Sequence, residues 1–297
     1  STLSHFFNAN YNRHIYRTIM TIKRMIFRAW VRTLECLTLA QQPKAICHLP
    51  LSPLHEKSLD VITVAFNNVE LIQYQEQFLR KFIQDPYHHI VVDNSTDLKV
   101  REQLFHFCLE NKIAYISLPK NFLNWVGGSY SHAAALNYVY KHIIVKRQPF
   151  AFGQIDHDLF PTRPISIINK LSKQPIYGPL RLRDRWWYLS AIMSFFQYDF
   201  VKDKKVDFMP VTPDKVYLDS GGGNWYGLYS QLDREQIVFP NECIEPLRDG
   251  GDRHGDSLAF FDDKLWLHTI NGSCWKKVNN QSDKDNHVRE YLDTILA

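Results

Sequence analysis

Two carboxylates, Asp156 and Asp158, lie two positions apart directly after an apolar run. On extended backbone, side chains two positions apart point to the same side, so both carboxylates can reach one cation while His157 points away. Mg²⁺ and Mn²⁺ prefer such oxygen ligands and complete their shells with phosphate oxygens and water. The spacing therefore predicts a Mn²⁺ or Mg²⁺ site that can hold a diphosphate, with His157 in a structural role.

Two upstream segments, residues 63–68 and 91–97, also lead from apolar residues into Asn, Asp and Ser. A third segment, residues 127–137, is rich in Gly, Ser and Ala, whose small size lets a backbone approach a ligand. These places can bind a ligand. Residues 93–97 can equally form an Asx turn or cap the following helix.

The elements that would position these clusters alternate from residue 60 onward. Apolar runs predict strands at residues 60–66, 89–92, 114–118 and 150–155, and the last of these delivers Asp156 at its end. Helical spacing predicts helices at residues 70–83, 99–111 and 130–144. This alternation is typical of an open α/β sheet, which binds its ligand at the carboxyl ends of its strands.

Between residues 60 and 161, a strand leading to Asn67, a strand leading to Asp93 and Asn94, a glycine-containing loop before a helix, and Asp156-x-Asp158 follow one another. This order resembles the GT-A fold of family 2-type glycosyltransferases. The predicted fold class is therefore α/β, a GT-A type, Rossmann-like mixed sheet flanked by helices, with an N-terminal amphipathic helical extension.

The resemblance implies a metal-dependent glycosyltransferase that moves a sugar from a nucleotide-sugar donor to a glycan or other hydroxyl acceptor. A cation, Mn²⁺ or Mg²⁺, offsets the charge that develops on the departing nucleoside diphosphate. Asp156 and Asp158 would hold it. The resemblance further implies that Thr63 and Asn67 line the nucleotide pocket and that Asp93 hydrogen-bonds the base or ribose. The full set implied for the donor site is Thr63, Asn67, Asp93, Asn94, Gly128, Ser131 and Asp156.

Residues 266–275 are similar to a C-terminal element of some members of this fold, in which a histidine closes over the diphosphate. The resemblance implies that His268 is a third metal ligand or a phosphate contact. A histidine beside apolar strand residues can also be purely structural.

Inverting transfer requires a carboxylate that takes the proton of the acceptor hydroxyl. Asp219 is the leading candidate for this base because it precedes three glycines at the end of an apolar segment. The alternative is that Asp219 only caps a glycine turn, and Asp214 and Asp184 are further candidates. The common family pattern supplies the base from a Glu-Asp pair, which is absent from this chain.

Several aromatic and basic side chains suit an acceptor, because aromatic faces stack on sugars and Arg binds hydroxyls or phosphates. The predicted acceptor residues are Arg181, Trp186, Trp187 and Trp225, with Arg183 and Tyr226 nearby. Packing of the tryptophans in the core is the alternative.

Residues 13–34 form a cationic amphipathic helix in this prediction. One stripe contains Ile15, Ile19, Ile22, Ile26 and Trp30, and the opposite stripe contains Arg13, Arg17, Arg24, Arg28 and Arg32. The isoleucine stripe can dock on the main domain, or it can contact an anionic membrane surface or a partner.

The predicted organisation has three parts. Residues 1–57 form the basic helix and a proline-containing linker around Pro43, Pro50 and Pro53. Residues 58–275 form the GT-A glycosyltransferase domain, although the pattern loosens after Pro164. Residues 276–297 form a tail with a closing helix from Asp285 to Leu296.

The composition narrows the classes of protein. A net charge of +4 over 297 residues lacks the basic excess of a nucleic-acid binder. Five scattered cysteines without a C-x-x-C pair favour a reducing compartment. With no apolar run of membrane length and no signal-like start, we expect a cytoplasmic protein that can associate with a membrane surface through its basic helix.

Other functions are open on this sequence. P-loop and dinucleotide fingerprints are absent. A metal phosphohydrolase would need several His and Asp ligands on helices. A nucleotidyltransferase, or a carbohydrate- or nucleotide-binding protein without turnover on the same fold, stays an alternative to the transferase.

Overall fold

The computed structural model describes residues 2–51, 57–247, 257–270 and 281–297, with backbone alone for residues 2–18 and 281. Strands, in chain order, are β1 (Ala45–Cys47), β2 (Leu59–Ala65), β3 (Tyr87–Asp93), β4 (Ala114–Ser117), β5 (Ala151–Asp156), β6 (Leu159–Pro161), β7 (Ile176–Tyr177), β8 (Leu180–Arg183), β9 (Trp186–Leu189), β10 (Met193–Gln197), β11 (Glu242–Pro246), β12 (Ser257–Phe261) and β13 (Trp266–His268). Helices are α1 (Thr2–Leu39), α2 (Val69–Phe82), α3 (Leu98–Asn111), α4 (Gly128–Val139), α5 (Val145–Arg147), α6 (Ile167–Leu171), α7 (Tyr198–Val201), α8 (Asn224–Gly227) and α9 (Gln281–Leu296).

The main sheet has seven strands in the order β1-β4-β3-β2-β5-β10-β7 within the described residues. The four central strands, β4, β3, β2 and β5, are parallel, and the flanking pairs are antiparallel. Every residue of β2 is buried, as expected for a central parallel strand covered on both faces. The predicted α/β class, a Rossmann-like mixed sheet flanked by helices, is confirmed, and so are the four predicted strands.

The strand order reverses between β2 and β5. The chain runs from β2 to β3 to β4 on one side, and then returns to place β5 on the other side of β2. Such a reversal leaves a crevice at the carboxyl ends of the two diverging strands, where open α/β sheets bind ligands. Asp156 is the last residue of β5, so it lies at this crevice.

Helices cover both faces of the sheet. Ile62 and Val64 of β2 pack with the Ala133–Ala135 stretch of α4, whereas Ala65 packs toward Ile72 of α2 and Leu104 of α3. Asn68 caps α2 by accepting the Leu71 N–H, and Asp97 caps α3 by accepting the Lys99 N–H. The third predicted helix begins at Gly128 rather than at residue 130, and a π-helical turn (Tyr140–Ile144) replaces its last turn.

A second, antiparallel sheet has the order β11-β12-β13-β6. It includes β6, which begins one residue after Asp158, so the two sheets meet at the Asp156-x-Asp158 sequence. Helix α9 packs beside α2, with Val288 and Leu292 buried and Arg289 paired with Glu70 at 2.7 Å. The predicted closing helix therefore begins earlier than residue 285.

The N-terminal part differs from the prediction in two ways. The predicted proline-containing linker contains β1, an edge strand that pairs antiparallel with β4. Docking of the isoleucine stripe on the main domain is wrong, because Ile19, Ile22 and Ile26 are exposed and α1 packs through another face. Pro53 lies outside the described residues.

Candidate active site

Gln75 of α2 supports the backbone around the Asp156-x-Asp158 sequence. Its amide nitrogen donates to the carbonyl oxygens of Asp156 and Leu159, both at 2.8 Å. Gln75 is completely buried, so this pair of hydrogen bonds is shielded from water. The side chain therefore fixes the backbone on both sides of the two carboxylates, a role that the sequence analysis missed.

The orientation of the Gln75 amide determines which of the neighbouring groups donate hydrogen bonds and which accept them. Because the nitrogen donates to two carbonyls, the Gln75 oxygen accepts from the Thr63 hydroxyl at 2.7 Å. The Thr63 oxygen, 3.0 Å from His89 Nε2, must then accept from that ring, whose Nδ1 lies 2.7 Å from a Glu76 carboxylate oxygen. Both His89 nitrogens therefore face a hydrogen-bond partner, Thr63 at Nε2 and Glu76 at Nδ1.

Glu76 is the carboxylate partner of the His89 ring. Burial alone would raise the pKa of its carboxyl, but hydrogen bonds and charges from His89 and Arg80 hold that pKa below its usual value. Thr63, implied as a nucleotide contact, is fully buried in this chain of hydrogen bonds and has no exposed surface to line a pocket.

His268 reaches the site through strand pairing. In the β13–β6 ladder, His268 lies opposite Leu159, and Thr269 N–H donates to the Asp158 carbonyl at 3.0 Å. The Nε2 atom of His268 lies 3.0 Å from Asp158 Oδ1 and 4.0 Å from Asp156 Oδ2. The structure thus brings together the three predicted metal ligands, with one ligand atom from each within 4.8 Å of the others.

The negative charges of Asp156 and Asp158 repel each other when the site holds no cation. The pKa of Asp156 is raised to about 7, chiefly by burial and also by the negative charges of Asp158 and Asp219, while His268 acts against this rise. For His268, burial lowers the pKa, but Asp158 and Asp156 outweigh burial and leave the pKa raised. Two carboxylates and an imidazole suit a divalent cation such as Mg²⁺ or Mn²⁺, which would relieve this repulsion.

Two further histidines lie beside the carboxylates. His132 Nε2 is 3.6 Å from Asp156 Oδ1, beyond hydrogen-bonding distance, and is buried without a hydrogen-bond partner in the described part of the chain. Burial lowers the pKa of His132 to about 4, so the ring is neutral near pH 7. A neutral imidazole has one N–H donor and one acceptor nitrogen, so it can form hydrogen bonds with a ligand. The sequence analysis missed His132, although it is the one histidine in residues 127–137.

His157 occupies the crevice between β2 and β5. Its Nδ1 accepts from the Phe66 N–H at 3.4 Å, which agrees with the predicted structural role. Its Nε2 is buried and lacks a hydrogen-bond partner among the described residues.

The loop after β3 is closed by internal hydrogen bonds. Asp93 is fully buried, and its carboxylate accepts from the Ser95 N–H at 2.9 Å and from the Tyr115 hydroxyl at 2.6 Å. The first of these bonds is the Asx turn that stood as the alternative reading. The implied contact of Asp93 with a base or ribose stays a prediction.

Other implied donor residues join this loop to its neighbours. Asn94 donates to Ser131 Oγ at 2.8 Å and accepts from Asn121 at 3.0 Å, which ties β3 to the start of α4. The Asn67 side chain bonds the Thr96 hydroxyl and backbone at 3.0 and 2.9 Å. Gly128 is different, because an added Cβ would meet nothing within 4 Å.

Asp219, the predicted base, lies at the same site. Its negative charge is among the causes that raise the pKa of Asp156, after burial and Asp158. Oδ1 accepts from the Ser220 N–H at 2.8 Å and the Tyr217 hydroxyl at 3.3 Å, while no partner of Oδ2 is seen among the described residues. Ser220 in turn donates to the Ser129 carbonyl of α4 at 2.7 Å.

The alternative bases are placed less favourably. Asp214 forms an ion pair with Arg185, and both side chains are largely exposed. Asp184 is an exposed turn residue with a φ of 55°. The structure offers no link from either to Asp156.

The predicted acceptor residues have two different surroundings. Trp187 is buried against Tyr229 and Phe239, as in the core-packing alternative. Arg181 pairs with Glu242 at 2.6 Å. The positive charges of Arg181 and Arg183 act against the rise in pKa that burial causes at Tyr188. The Tyr188 hydroxyl accepts from the Asp219 N–H at 3.2 Å, so Arg181 lies on the Asp219 side of the site.

Trp186 and Trp225 are partly exposed and meet edge to face, with ring centroids 5.3 Å apart. Trp186 Nε1 is buried without a hydrogen-bond partner among the described residues. An acceptor contact for this pair stays a prediction. Residues 271–275 of the predicted C-terminal element lie outside the described ranges.

No protein-family profile matches the sequence, and no curated protein is significantly similar to it. Among solved structures, the chain is similar to the WbbM bifunctional glycosyltransferase in its apo form, with 12% sequence identity and a TM-score of 0.34. The similarity covers 50% of this chain and 33% of that chain.

Proposed function

We propose that this protein is a metal-dependent glycosyltransferase that uses a nucleotide-sugar donor. The observation that carries the proposal is the position of Asp156, Asp158 and His268 at the reversal of strand order between β2 and β5. Such a crevice is where open α/β sheets bind nucleotides. Bound there, a divalent cation such as Mn²⁺ or Mg²⁺ would offset the negative charge of the departing diphosphate.

The protein's own residues supply the remaining chemistry in this proposal. Asp219 accepts the proton of the acceptor hydroxyl at Oδ2, while the Ser220 N–H and the Tyr217 hydroxyl orient the carboxylate through Oδ1. The acceptor oxygen then bonds to the anomeric carbon as the bond to the diphosphate oxygen breaks, which inverts the configuration. Arg181, Trp186 and Trp225 would hold the acceptor beside Asp219.

The test measures release of nucleoside diphosphate from a panel of nucleotide sugars with Mn²⁺ present, with and without candidate hydroxyl acceptors. We expect donor-selective release that is lost in Asp158→Ala and retained in Asp199→Ala, an exposed aspartate on α7. Asp219→Asn should reduce transfer while leaving donor affinity unchanged.

Three outcomes would contradict the proposal. Sugar binding that ignores both metal and nucleotide would favour a carbohydrate-binding protein. Pyrophosphate release from a nucleoside triphosphate and a sugar phosphate would favour a nucleotidyltransferase. Diphosphate release that survives in Asp158→Ala would place the reaction elsewhere.

A further inference from the structure

Helix α1 presents an apolar face to solvent. Ile19, Ile22, Ile26 and Trp30 are 45%, 50%, 63% and 47% exposed, and their spacing places them on one stripe, which we call the outer face. Helix α1 carries more exposed large apolar side chains than any other described element. A contiguous apolar surface of this kind marks a site of contact with a partner or a membrane.

The opposite face of α1 is anchored to the main domain. Val31, Glu35 and Thr38 are buried there. Arg32 pairs with Asp207 at 2.5 Å, and Glu35 accepts from Asn137 at 2.6 Å. Rolling the helix to bury the outer face would break this part-buried network and leave Asp207 unpaired, which is strongly unfavourable. The anchor therefore holds the outer face toward solvent.

The charge of the helix indicates which kind of partner the outer face contacts. Residues 1–34 contain no Asp or Glu, and their basic residues are Arg13, Arg17, Lys23, Arg24, Arg28 and Arg32. Lys23 is exposed beside the outer face, whereas Arg24 is exposed on the opposite side of the helix. Pairing of the outer face with a second copy would bring the Lys23 side chains of the two copies toward each other, so charge disfavours self-association. Anionic lipid headgroups over an acyl layer match both the charge and the apolar stripe.

We propose that the outer face of α1 binds an anionic lipid surface, with the helix lying in the plane of the interface. Among the helices that the structure describes, none combines the length and apolarity needed to cross a bilayer. Trp30 suits an interfacial position, because an indole ring has an apolar body and one polar N–H.

The test is vesicle sedimentation of the full chain without any sugar nucleotide, so its result does not depend on the proposed function. We compare vesicles of phosphatidylcholine alone with an equimolar mixture containing phosphatidylglycerol. We expect binding to the mixed vesicles that weakens as salt is raised. The double variant Ile22→Gln/Ile26→Gln should bind at least about tenfold more weakly, because it removes two apolar side chains from the interface.

The matched control is Leu98→Gln/Leu109→Gln, which changes two exposed leucines on α3 and should leave vesicle binding unchanged. All variants should melt like the wild type, because the altered side chains are exposed. Wild-type protein that stays in the supernatant with both vesicles would overturn the proposal. So would a dimer in solution that Ile22→Gln/Ile26→Gln dissociates, since it would identify a second copy as the occupant.

Discussion

The loop after β3 and the loop after β5 both begin with an aspartate at the carboxyl end of a parallel strand, but their carboxylates have different surroundings. Asp93 accepts hydrogen bonds from the Ser95 N–H and the Tyr115 hydroxyl, and is completely buried. Asp156 faces a second carboxylate, Asp158, and its side chain is 29% exposed.

The two environments suit different roles, a structural role for Asp93 and a ligand-binding role for Asp156. A buried carboxylate that accepts hydrogen bonds from its own fold is satisfied and stabilises the loop that it caps. A carboxylate crowded by like charge is destabilised until a cation or proton joins it. We therefore expect the loop after β3 to contribute to stability and the loop after β5 to bind the ligand.

The same substitution at each position gives the sharpest test of this comparison. Asp156→Asn removes a cation ligand, so we expect transfer to fall by about a hundredfold to a thousandfold. The metal-free protein should be no less stable, because the like charge is gone. Asp93→Asn should instead lower the free energy of unfolding by about 1.5–3 kcal/mol, because the amide cannot accept both hydrogen bonds.

Initial rates and denaturant unfolding of the two variants check this prediction. A reversed pattern would break the comparison: if Asp93→Asn abolished transfer at full stability, Asp93 would contact the donor, as the resemblance implies.

Part of this arrangement follows from sequence alone. The four parallel strands and α2 and α3 are predictable, because apolar runs and helical spacing are local signals. Edge strand β1 is not predictable in this way, since it has three residues among prolines and forms only by pairing with β4. The three residues predicted as metal ligands, Asp156, Asp158 and His268, lie together in the structure. The position of His268 depends on the β13–β6 register, which no local pattern reports.

Residues that support the site were missed for a similar reason. Gln75 and His89 resemble ordinary polar positions on a helix and a strand, and only their burial reveals the chain of hydrogen bonds that leads to Asp156. His132 becomes notable only when α4 packs beside β2 and brings its ring within 3.6 Å of Asp156.

The support from Gln75 gives a second, intermediate prediction. Gln75→Leu keeps most of the buried volume but removes both donors to the Asp156 and Leu159 carbonyls. We expect Mn²⁺ affinity to fall by roughly tenfold to a hundredfold, as for other residues that orient metal ligands. Titration of the protein with Mn²⁺ measures this.

Gln231→Leu is the control, because it removes one amide-to-carbonyl hydrogen bond at the surface. Equal Mn²⁺ affinity in Gln75→Leu and wild type would show that the Asp156 loop holds its shape without Gln75.

The smallest expected effect is on the pH dependence of stability. The pKa of Asp156 is raised to about 7 in the folded, metal-free protein, chiefly by burial and then by Asp158. A raised carboxyl pKa means that the folded state binds the proton more tightly than the unfolded state. This contribution to stability is present at acid pH and is lost as the pH rises through about 7.

Melting temperatures of the metal-free protein should therefore decline between about pH 4 and about pH 7 more steeply in the wild type than in Asp156→Asn. Saturating Mn²⁺ should flatten the wild-type curve. Parallel curves for the two proteins would show that Asp156 keeps an ordinary pKa.

The β13–β6 pairing also bears on the order in which the chain folds. Asp158 is made before His268, which joins it only after β12 and β13 have closed the second sheet across a long intervening segment. Contacts so distant in sequence form late, because a large loop must close before they can contribute. The proposed three-ligand site would therefore be complete only in the folded chain, and cation retention would be a mark of finished folding. A bound cation would stabilise the native topology by mass action and oppose separation of the two sheets.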